Sequence, residues 1–207
     1  MAKVTYSPII NDVRCKLGNM VFSKWKDTSY LRTYAKPGDP KSEGQMEVRT
    51  AFTRLTKNWK QVNGILHRSW KEYARCMNMT GYNAFIGVNS SRQRSGEPLE
   101  LFKALGEETL SGFKAEKGAG TGEIKCTFTL PATGSGKHLT LFTQKAENGR
   151  AEGDMVRHDM GAVTEPQAVI TGLVSGAEYF VYGMVTGKAY PEAATVSASS
   201  ADRVVAA

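Results

Sequence analysis

The chain has 207 residues, a formal net charge of +7, 41% hydrophobic residues and 23% charged residues. These values are typical of a folded globular protein and exclude a disordered or collagen-like chain. No stretch approaches the roughly 20 apolar residues needed to span a bilayer, and Met1 to Val21 lacks the apolar run of a cleaved signal, so we expect a protein kept in the cytoplasm where it is made.

Positive charge is concentrated in the first half of the chain. Residues 1–94 contain 17 Lys and Arg against 6 Asp and Glu, whereas residues 95–207 contain 10 against 14, so the two parts carry +11 and −4. This asymmetry predicts that the first part faces something acidic, either nucleic acid or an acidic protein surface. The alternative is a basic surface that serves only solubility.

The first segment is predicted to be rich in β-structure. Residues 3–10 are strand-like, residues 11–18 turn, and residues 18–34 form a β-hairpin with apolar side chains on both faces. So short a hairpin is marginally stable alone and must pack on the helices that follow or on a neighbouring copy. Its exposed edges would be a template for strand addition by that neighbour. The candidate assembly and partner-binding residues are Phe22, Lys24, Trp25, Lys26, Tyr30, Arg32 and Tyr34.

Three amphipathic helices are predicted next, after the proline-rich connector 36–40. The first runs roughly from Ser42 to Val62 with a capping box of Ser42 and Gln45, and the third begins at Thr80 as N-cap. The residues predicted to face the core are Val48, Ala51, Phe52, Leu55, Trp59 and Val62, then Leu66, Trp70, Tyr73, Ala74 and Met77, then Tyr82, Phe85, Ile86 and Asn89. The candidate phosphate contacts on these helices are Lys57, Lys60, Arg68, Lys71 and Arg75.

After the helices, an apolar patch of Leu99, Leu101, Phe102 and Leu105 is expected to dock the helical unit onto the rest of the chain. Short alternating runs then predict seven strands, at 111–116, 123–130, 138–144, 154–159, 168–171, 178–186 and 195–200. Seven strands in about 95 residues are typical of a β-sandwich. The predicted fold class is therefore α+β in two domains: an N-terminal β-hairpin with a small three-helix unit, then an immunoglobulin- or fibronectin III-like sandwich. The predicted segments are 1–39, 40–111 and 112–207.

The run from Leu173 to Tyr182 resembles the E–F corner of fibronectin type III domains. Leu173, Gly176, Tyr179 and Val181 match that pattern, while Ser175 replaces its usual proline. Phe128 stands where the family usually has a core tryptophan. The resemblance implies a sandwich whose corner is held by the Tyr179 hydroxyl.

A second resemblance covers the first half. Gly18 to Lys26, Pro40-Lys41-Ser42, Trp59-Lys60, Trp70 and Gly81 to Phe85 form a pattern similar to that of uncharacterised bacterial and prophage-borne proteins. The resemblance implies a phage or prophage context, with a sandwich after the helices. The spacing of Trp59 and Trp70 also superficially resembles the helical core of high-mobility-group boxes, although aromatic residues at helical spacing are more often core than DNA wedges.

Sequence patterns do not predict a catalytic, cofactor or metal site. Residues 118–122 are interpreted as a flexible glycine linker, because they precede a strand, whereas a dinucleotide-binding loop follows one and opens a helix. Residues 134–138 are interpreted as a hairpin loop, because Pro131 stands where a phosphate loop has its first glycine and His138 where it has Ser or Thr. His67, His138 and His158 are scattered, and Cys15, Cys76 and Cys126 form no C-x-x-C pair. We expect reduced thiols, buried at Cys76 and Cys126.

Two functions from different classes follow as expectations. The first is a non-enzymatic virion protein of a phage-like particle, a capsid-decorating, head–tail or tail component. It would be present in many copies, made in the bacterial host cytoplasm, and attached through its basic half to other virion proteins and to itself. The second is a nucleic-acid-binding architectural protein that uses the basic helices. Neither requires a cofactor, a membrane or a small-molecule substrate.

Overall fold

The structure is a computed structural model that describes residues 2–7, 13–25, 28–36, 38–62, 64–106, 108–129, 137–189, 193–198 and 200–207. The chain divides into two compact units, Met1–Ser42 and Glu43–Ala207. Each unit is described separately below.

The first unit is a four-stranded antiparallel sheet. Its strands are β1 (Ala2–Lys3), β2 (Cys15–Leu17), β3 (Met20–Trp25) and β4 (Thr28–Thr33), in the order β1-β4-β3-β2. The predicted hairpin is confirmed as β3 and β4, but the prediction that both its strands are exposed edges is wrong. β1 and β2 pair along its two sides. The stretch 15–17 was predicted as a turn, and residues 8–10 of the predicted first strand lie outside the described residues.

The second unit begins with the three predicted helices, α1 (Glu43–Gln61), α2 (Ile65–Ala74) and α3 (Gly81–Ser95), with a 3-10 turn over Arg75–Met77. Thr80 caps α3 as predicted, because its Oγ1 accepts a hydrogen bond from the Asn83 backbone N–H at 3.2 Å. Gly96 ends α3 in the left-handed conformation, with φ of 75°.

The buried face of α1 differs from the prediction. Val48 and Phe52 remain 52% and 49% exposed, whereas the polar Asn58 is 2% exposed. Asn58 Oδ1 accepts a hydrogen bond from Gln144 Nε2 at 2.9 Å, so this contact belongs to the buried stripe and turns Phe52 toward solvent. Tyr73 and Met77, also predicted to face inward, are exposed at the end of α2.

The described residues of the second unit also form seven strands. They are β5 (Ser111–Lys117), β6 (Ile124–Thr129), β7 (His138–Glu147), β8 (Arg150–Ala162), β9 (Gln167–Ile170), β10 (Glu178–Thr186) and β11 (Ser200–Val205). They form a three-stranded sheet, β5-β6-β9, and a four-stranded sheet, β11-β10-β7-β8. The last strand was predicted at 195–200, but there Val196 instead forms isolated bridges with Leu105 and Thr186.

The glycine stretch 118–122 is a fixed turn between β5 and β6 and not the predicted flexible linker. The Gly122 N–H donates to the Ala207 carbonyl at 2.6 Å, and its carbonyl accepts from the Leu173 N–H at 3.0 Å. Gly122 has φ of 71°, and a Cβ there would lie 2.3 Å from the Leu173 carbonyl oxygen. Only glycine fits so close an approach.

Two hydrophobic cores lie on opposite faces of the sheet β11-β10-β7-β8. Between the two sheets, Leu141, Val181 and Val185 pack with Ile124 and Phe128. On the other face, sheet and helix residues form one cluster that includes Phe142, Phe180, Tyr182, Leu55, Trp70 and Phe85. The predicted docking patch is confirmed, because Leu99, Leu101 and Phe102 are buried in that second cluster. The helices and the sandwich therefore share a core. The domain boundary predicted at 111/112 stays a prediction.

Trp70 anchors the helical side of this core. Its ring is fully buried, and its Nε1 donates to the Leu101 carbonyl at 2.8 Å. Trp59 is only partly buried and stacks on His67 at 4.0 Å between ring centroids. Both tryptophans belong to the packed helices, as expected for core residues.

We expect Trp70→Ala to lower the free energy of unfolding by about 3 to 5 kcal/mol, because it leaves a cavity and removes the hydrogen bond from Trp70 Nε1 to the Leu101 carbonyl. Trp59→Ala should cost less, since part of its ring already faces water. Urea denaturation followed by circular dichroism measures both. A larger loss at Trp59 than at Trp70 would contradict the assigned burial.

The Tyr179 corner predicted from the sequence is present. The Tyr179 hydroxyl accepts a hydrogen bond from the Val174 backbone N–H at 3.1 Å, and the ring is buried. This bond closes the turn that leads from β9 into β10.

Tyr179→Phe should therefore destabilise the protein by about 1 to 3 kcal/mol, because the Val174 N–H loses its acceptor. Tyr73→Phe is the matched control, since the Tyr73 ring is 36% exposed. It should change stability by less than about 0.5 kcal/mol. Equal losses in the two variants would show that the corner bond contributes nothing.

Candidate assembly sheet

The N-terminal sheet has no core of its own. Among the residues between 2 and 36 whose side-chain exposure the structure describes, none is buried. Leu17 is 65% exposed and Met20 is 44% exposed. A stable antiparallel sheet normally packs one face against a core, and the described residues of this sheet do not form one by themselves.

The register places six of the sheet's apolar side chains on one face, which Lys24 also shares, while Val21 lies on the opposite face. Directly paired residues on antiparallel strands point the same way, so Ala2, Leu31, Phe22 and Cys15 form a row across all four strands. Leu17 and Met20 pair in the next row on that face. We define the apolar face as Ala2, Cys15, Leu17, Met20, Phe22 and Leu31.

The opposite face is cationic. Lys16 pairs with Val21, Val21 with Arg32, and Lys3 with Tyr30. The Lys16 ammonium lies 3.7 Å from the centroid of the Tyr34 ring, which places that ring on the same side. We define the cationic face as Lys3, Lys16, Tyr30, Arg32 and Tyr34. None of the four strands contains Asp or Glu.

The predicted assembly residues are divided between these two faces. Phe22 lies on the apolar face, and Lys24 lies at its end, paired with Ser29. Tyr30, Arg32 and Tyr34 lie on the cationic face. Trp25 ends β3 opposite Thr28, and Lys26 lies outside the described residues.

Sequence reasoning missed the contributions of β1 and β2, namely Ala2, Lys3, Cys15, Lys16 and Leu17. A signal for β2 was present. Gly18-Asn19 is a two-residue hairpin turn, and Leu17 and Met20, which flank it, are paired in the sheet. For β1, the strand predicted at 3–10 overlaps the observed strand only at Lys3, and its pairing with β4 has no local signal because β4 lies more than 20 residues away in sequence.

The predicted phosphate contacts on the helices differ in their surroundings. Lys57 forms an ion pair with Asp154 at 2.7 Å and, with Gln61, lowers the pKa of that carboxyl. Arg75 lies 3.6 Å from Glu72. Lys60 is exposed on α1, while Arg68, Lys71 and Arg75 follow one another at helical spacing along one exposed face.

Within the described ranges, no group of three or more His, Cys, Asp or Glu side chains could hold a metal ion. No described helix is long and apolar enough to cross a membrane.

The cysteines differ in environment. Cys126 is buried, and burial raises the pKa of its thiol to about 12. Cys76 is exposed, so the prediction that it is buried was wrong. It lies in the 3-10 turn after α2, where the apolar pattern continues but the helix no longer faces the core. Cys15 is also exposed.

Comparison with known proteins gives one family and several structures. Residues 10–97 match a family of unknown function, DUF6266. No curated protein matches the sequence.

Among solved structures, the chain is similar to the fibronectin type III domain of human collagen alpha-1(XX) chain, at 15% identity and a TM-score of 0.39. That match covers 49% of this chain and 87% of that one. It is also similar to the FN5 domain of Drosophila Lar, at 14% identity and a TM-score of 0.33, over 47% of this chain and 96% of that one. Fibronectin III-like neighbours thus cover about half the chain.

The thiol environments can be checked directly. In the native protein we expect a thiol-specific reagent to modify Cys15 and Cys76 readily, whereas Cys126 should react only after unfolding, because its thiolate is disfavoured by burial. Counting modified thiols with and without denaturant, by mass spectrometry, tests this. Rapid modification of Cys126 in the native state would contradict its position in the core.

Proposed function

We propose that this protein is a non-enzymatic structural or accessory component of a phage or phage-like particle, present in many copies and attached through its N-terminal sheet. The observation that carries the proposal is that no side chain of the sheet whose exposure is described is buried, while apolar side chains predominate on one face and cationic ones on the other. A sheet of this kind gains stability when other surfaces cover it.

The cationic face is suited to an acidic protein surface. Lys3, Lys16 and Arg32 project from three different strands without an acidic side chain among them. Such a field attracts an acidic partner and excludes basic ones. The proposed partner is therefore an acidic protein lattice, as the overall charge asymmetry of the chain also suggests.

The second unit is proposed to be the projecting part, with a fibronectin type III-like sandwich. Two features support that fold: the strand orders β5-β6-β9 and β11-β10-β7-β8, and the hydrogen bond from the Val174 N–H to the Tyr179 hydroxyl. The phage setting, with synthesis in a bacterial cytoplasm and incorporation into a virion, rests on the sequence resemblance to prophage-borne proteins.

One observation favours a second candidate function, nucleic-acid binding by the helices. Arg68, Lys71 and Arg75 are exposed and share one face of α2 and its 3-10 extension. The attraction of these three cations to phosphates is weakened by Glu72, whose carboxylate lies 3.6 Å from the Arg75 guanidinium and partly neutralises its charge. We rank this function below particle assembly.

Two charge-reversal triples separate the candidates. Lys3→Glu, Lys16→Glu and Arg32→Glu together should reduce co-sedimentation with particles from the source cells by about tenfold or more, since three interface charges change sign. The matched control is Arg68→Glu, Lys71→Glu and Arg75→Glu, which should sediment like the unmodified protein.

Wild-type protein that never sediments with particles would overturn the proposal. If instead the unmodified protein binds duplex DNA with steep salt dependence and only the α2 triple abolishes that binding, the nucleic-acid function replaces it.

A further inference from the structure

We propose that the second unit binds a buried water molecule where α1 meets β7 and β8, held by the side-chain amides of Asn58 and Gln144. Every group involved lies within the compact unit Glu43–Ala207. The inference goes beyond the proposed function and does not depend on it.

Three buried side-chain amides lie where the helices pack on the sheet. Asn58 on α1, Gln93 on α3 and Gln144 on β7 are each at most 2% exposed. Each has one polar atom that hydrogen-bonds to no described group, namely Asn58 Nδ2, Gln93 Oε1 and Gln144 Oε1. Buried polar atoms in folded proteins are nearly always paired, either with protein groups or with ordered water. These three atoms therefore point to a ligand.

Two of the amides are held by backbone carbonyls of β8. The register between β7 and β8 shifts between Gln144 and Ala146, so the ladder is irregular at this point. Gln144 Nε2 donates to the Gly153 carbonyl at 2.8 Å, and Gln93 Nε2 donates to the Ala151 carbonyl at 3.0 Å. The nitrogen of each glutamine is thereby directed at the strand, and its oxygen is directed away from that carbonyl.

These hydrogen bonds also assign the orientation of each amide. Exchanging nitrogen and oxygen in Gln144 would set its oxygen against the Gly153 carbonyl oxygen, two acceptors facing each other. Gln144 Nε2 also donates to Asn58 Oδ1 at 2.9 Å. Exchanging the two atoms of Asn58 would therefore set one donor against another. Reorienting the amides leaves the same atoms unpaired, so the missing partner comes from outside these side chains.

A water molecule matches the unpaired atoms. Asn58 Nδ2 has N–H groups to donate and Gln144 Oε1 has lone pairs to accept with, and a hydrogen bond already joins their two amide groups. A water between them accepts from Asn58 and donates to Gln144. Its second hydrogen is available to Gln93 Oε1, the third unpaired acceptor of this interface. Buried waters typically make about three hydrogen bonds, and this set supplies that number.

The charges around the site favour a neutral occupant over an ion. Arg54, one turn before Asn58 on α1, forms an ion pair with Glu152. Lys57 forms an ion pair with Asp154. The cations and carboxylates of this part of the interface thus neutralise each other, and a buried ion would lack a counter-charge.

The water completes a network that joins α1 to the sheet. With it bound, both polar atoms of Asn58 and both polar atoms of Gln144 have partners. The amide of Asn58 then contacts β7 directly through Gln144 and a second time through the water. Removing the Asn58 side chain removes both links together.

A crystal structure of the unmodified full chain, at a resolution that shows ordered water, tests the inference. We expect a water peak at about 2.7 to 3.2 Å from both Asn58 Nδ2 and Gln144 Oε1. A direct hydrogen bond between these two atoms, or no peak within reach of both, would overturn it.

A pair of variants tests the role of Asn58. In crystals of Asn58→Leu the water peak should be lost, because its donor is gone. Asn83→Leu is the matched control, since Asn83 is exposed on α3, and it should keep the peak. A water that persists in Asn58→Leu would show that Asn58 does not hold it.

A measurement in solution needs no variant to fold. In ¹⁵N-labelled unmodified protein, magnetisation transfer from water to the Asn58 side-chain N–H protons should have the sign of a long-lived, buried water. The side-chain N–H protons of Asn83 serve as the internal control and should show only the signal of fast-exchanging surface water. Equal behaviour of the two side chains would contradict the inference.

Discussion

The second unit depends on one sheet being buried on both faces. Every residue of β10 from Tyr179 to Thr186 is buried, because alternate side chains enter the two cores. Phe180, Tyr182 and Met184 face the helices, where Trp70 and Phe85 meet them. The Tyr182 hydroxyl accepts from the Leu99 N–H at 3.4 Å, and burial raises its pKa. A sandwich separated from the helices would expose this row, so the helices act as a third layer of one folded unit.

A polar seam determines how that third layer sits on the sheet. Gln144 on β7 donates to Asn58 on α1, and Gln93 on α3 donates to the Ala151 carbonyl on β8 at 3.0 Å. Arg54 pairs with Glu152 beside them. A buried polar side chain that loses its hydrogen-bond partner destabilises the fold. These hydrogen bonds therefore favour one rotation of α1 about its own axis, whereas a purely apolar interface would allow several. That rotation leaves Val48 and Phe52 in solvent and buries Asn58.

The N-terminal sheet contrasts with the doubly buried sheet of the second unit. Its strands are well paired, yet its side chains form no interior among the residues described. Backbone pairing alone gives little net stability, because water competes for the same hydrogen bonds. The sheet's apolar and cationic side chains lie mostly on different faces. One face would therefore favour an apolar partner surface of matching shape, and the other an acidic partner surface. This division of the sheet is what the proposed role within an assembly requires.

The sequence by itself determined the features whose signals lie within a few residues of one another. The three helices, the Thr80 cap and six of the seven sandwich strands were predictable from local periodicity and turn chemistry. The corner at Tyr179 was predicted from the resemblance of residues 173–182 to fibronectin type III domains. Tertiary structure alone decided that Ala2 pairs with Leu31, that Phe52 is exposed, and that the assembly residues split into two faces. The reason is that these outcomes depend on register and on partners far away in sequence. A shift of one residue in a strand reverses every side chain, and no local pattern encodes that choice.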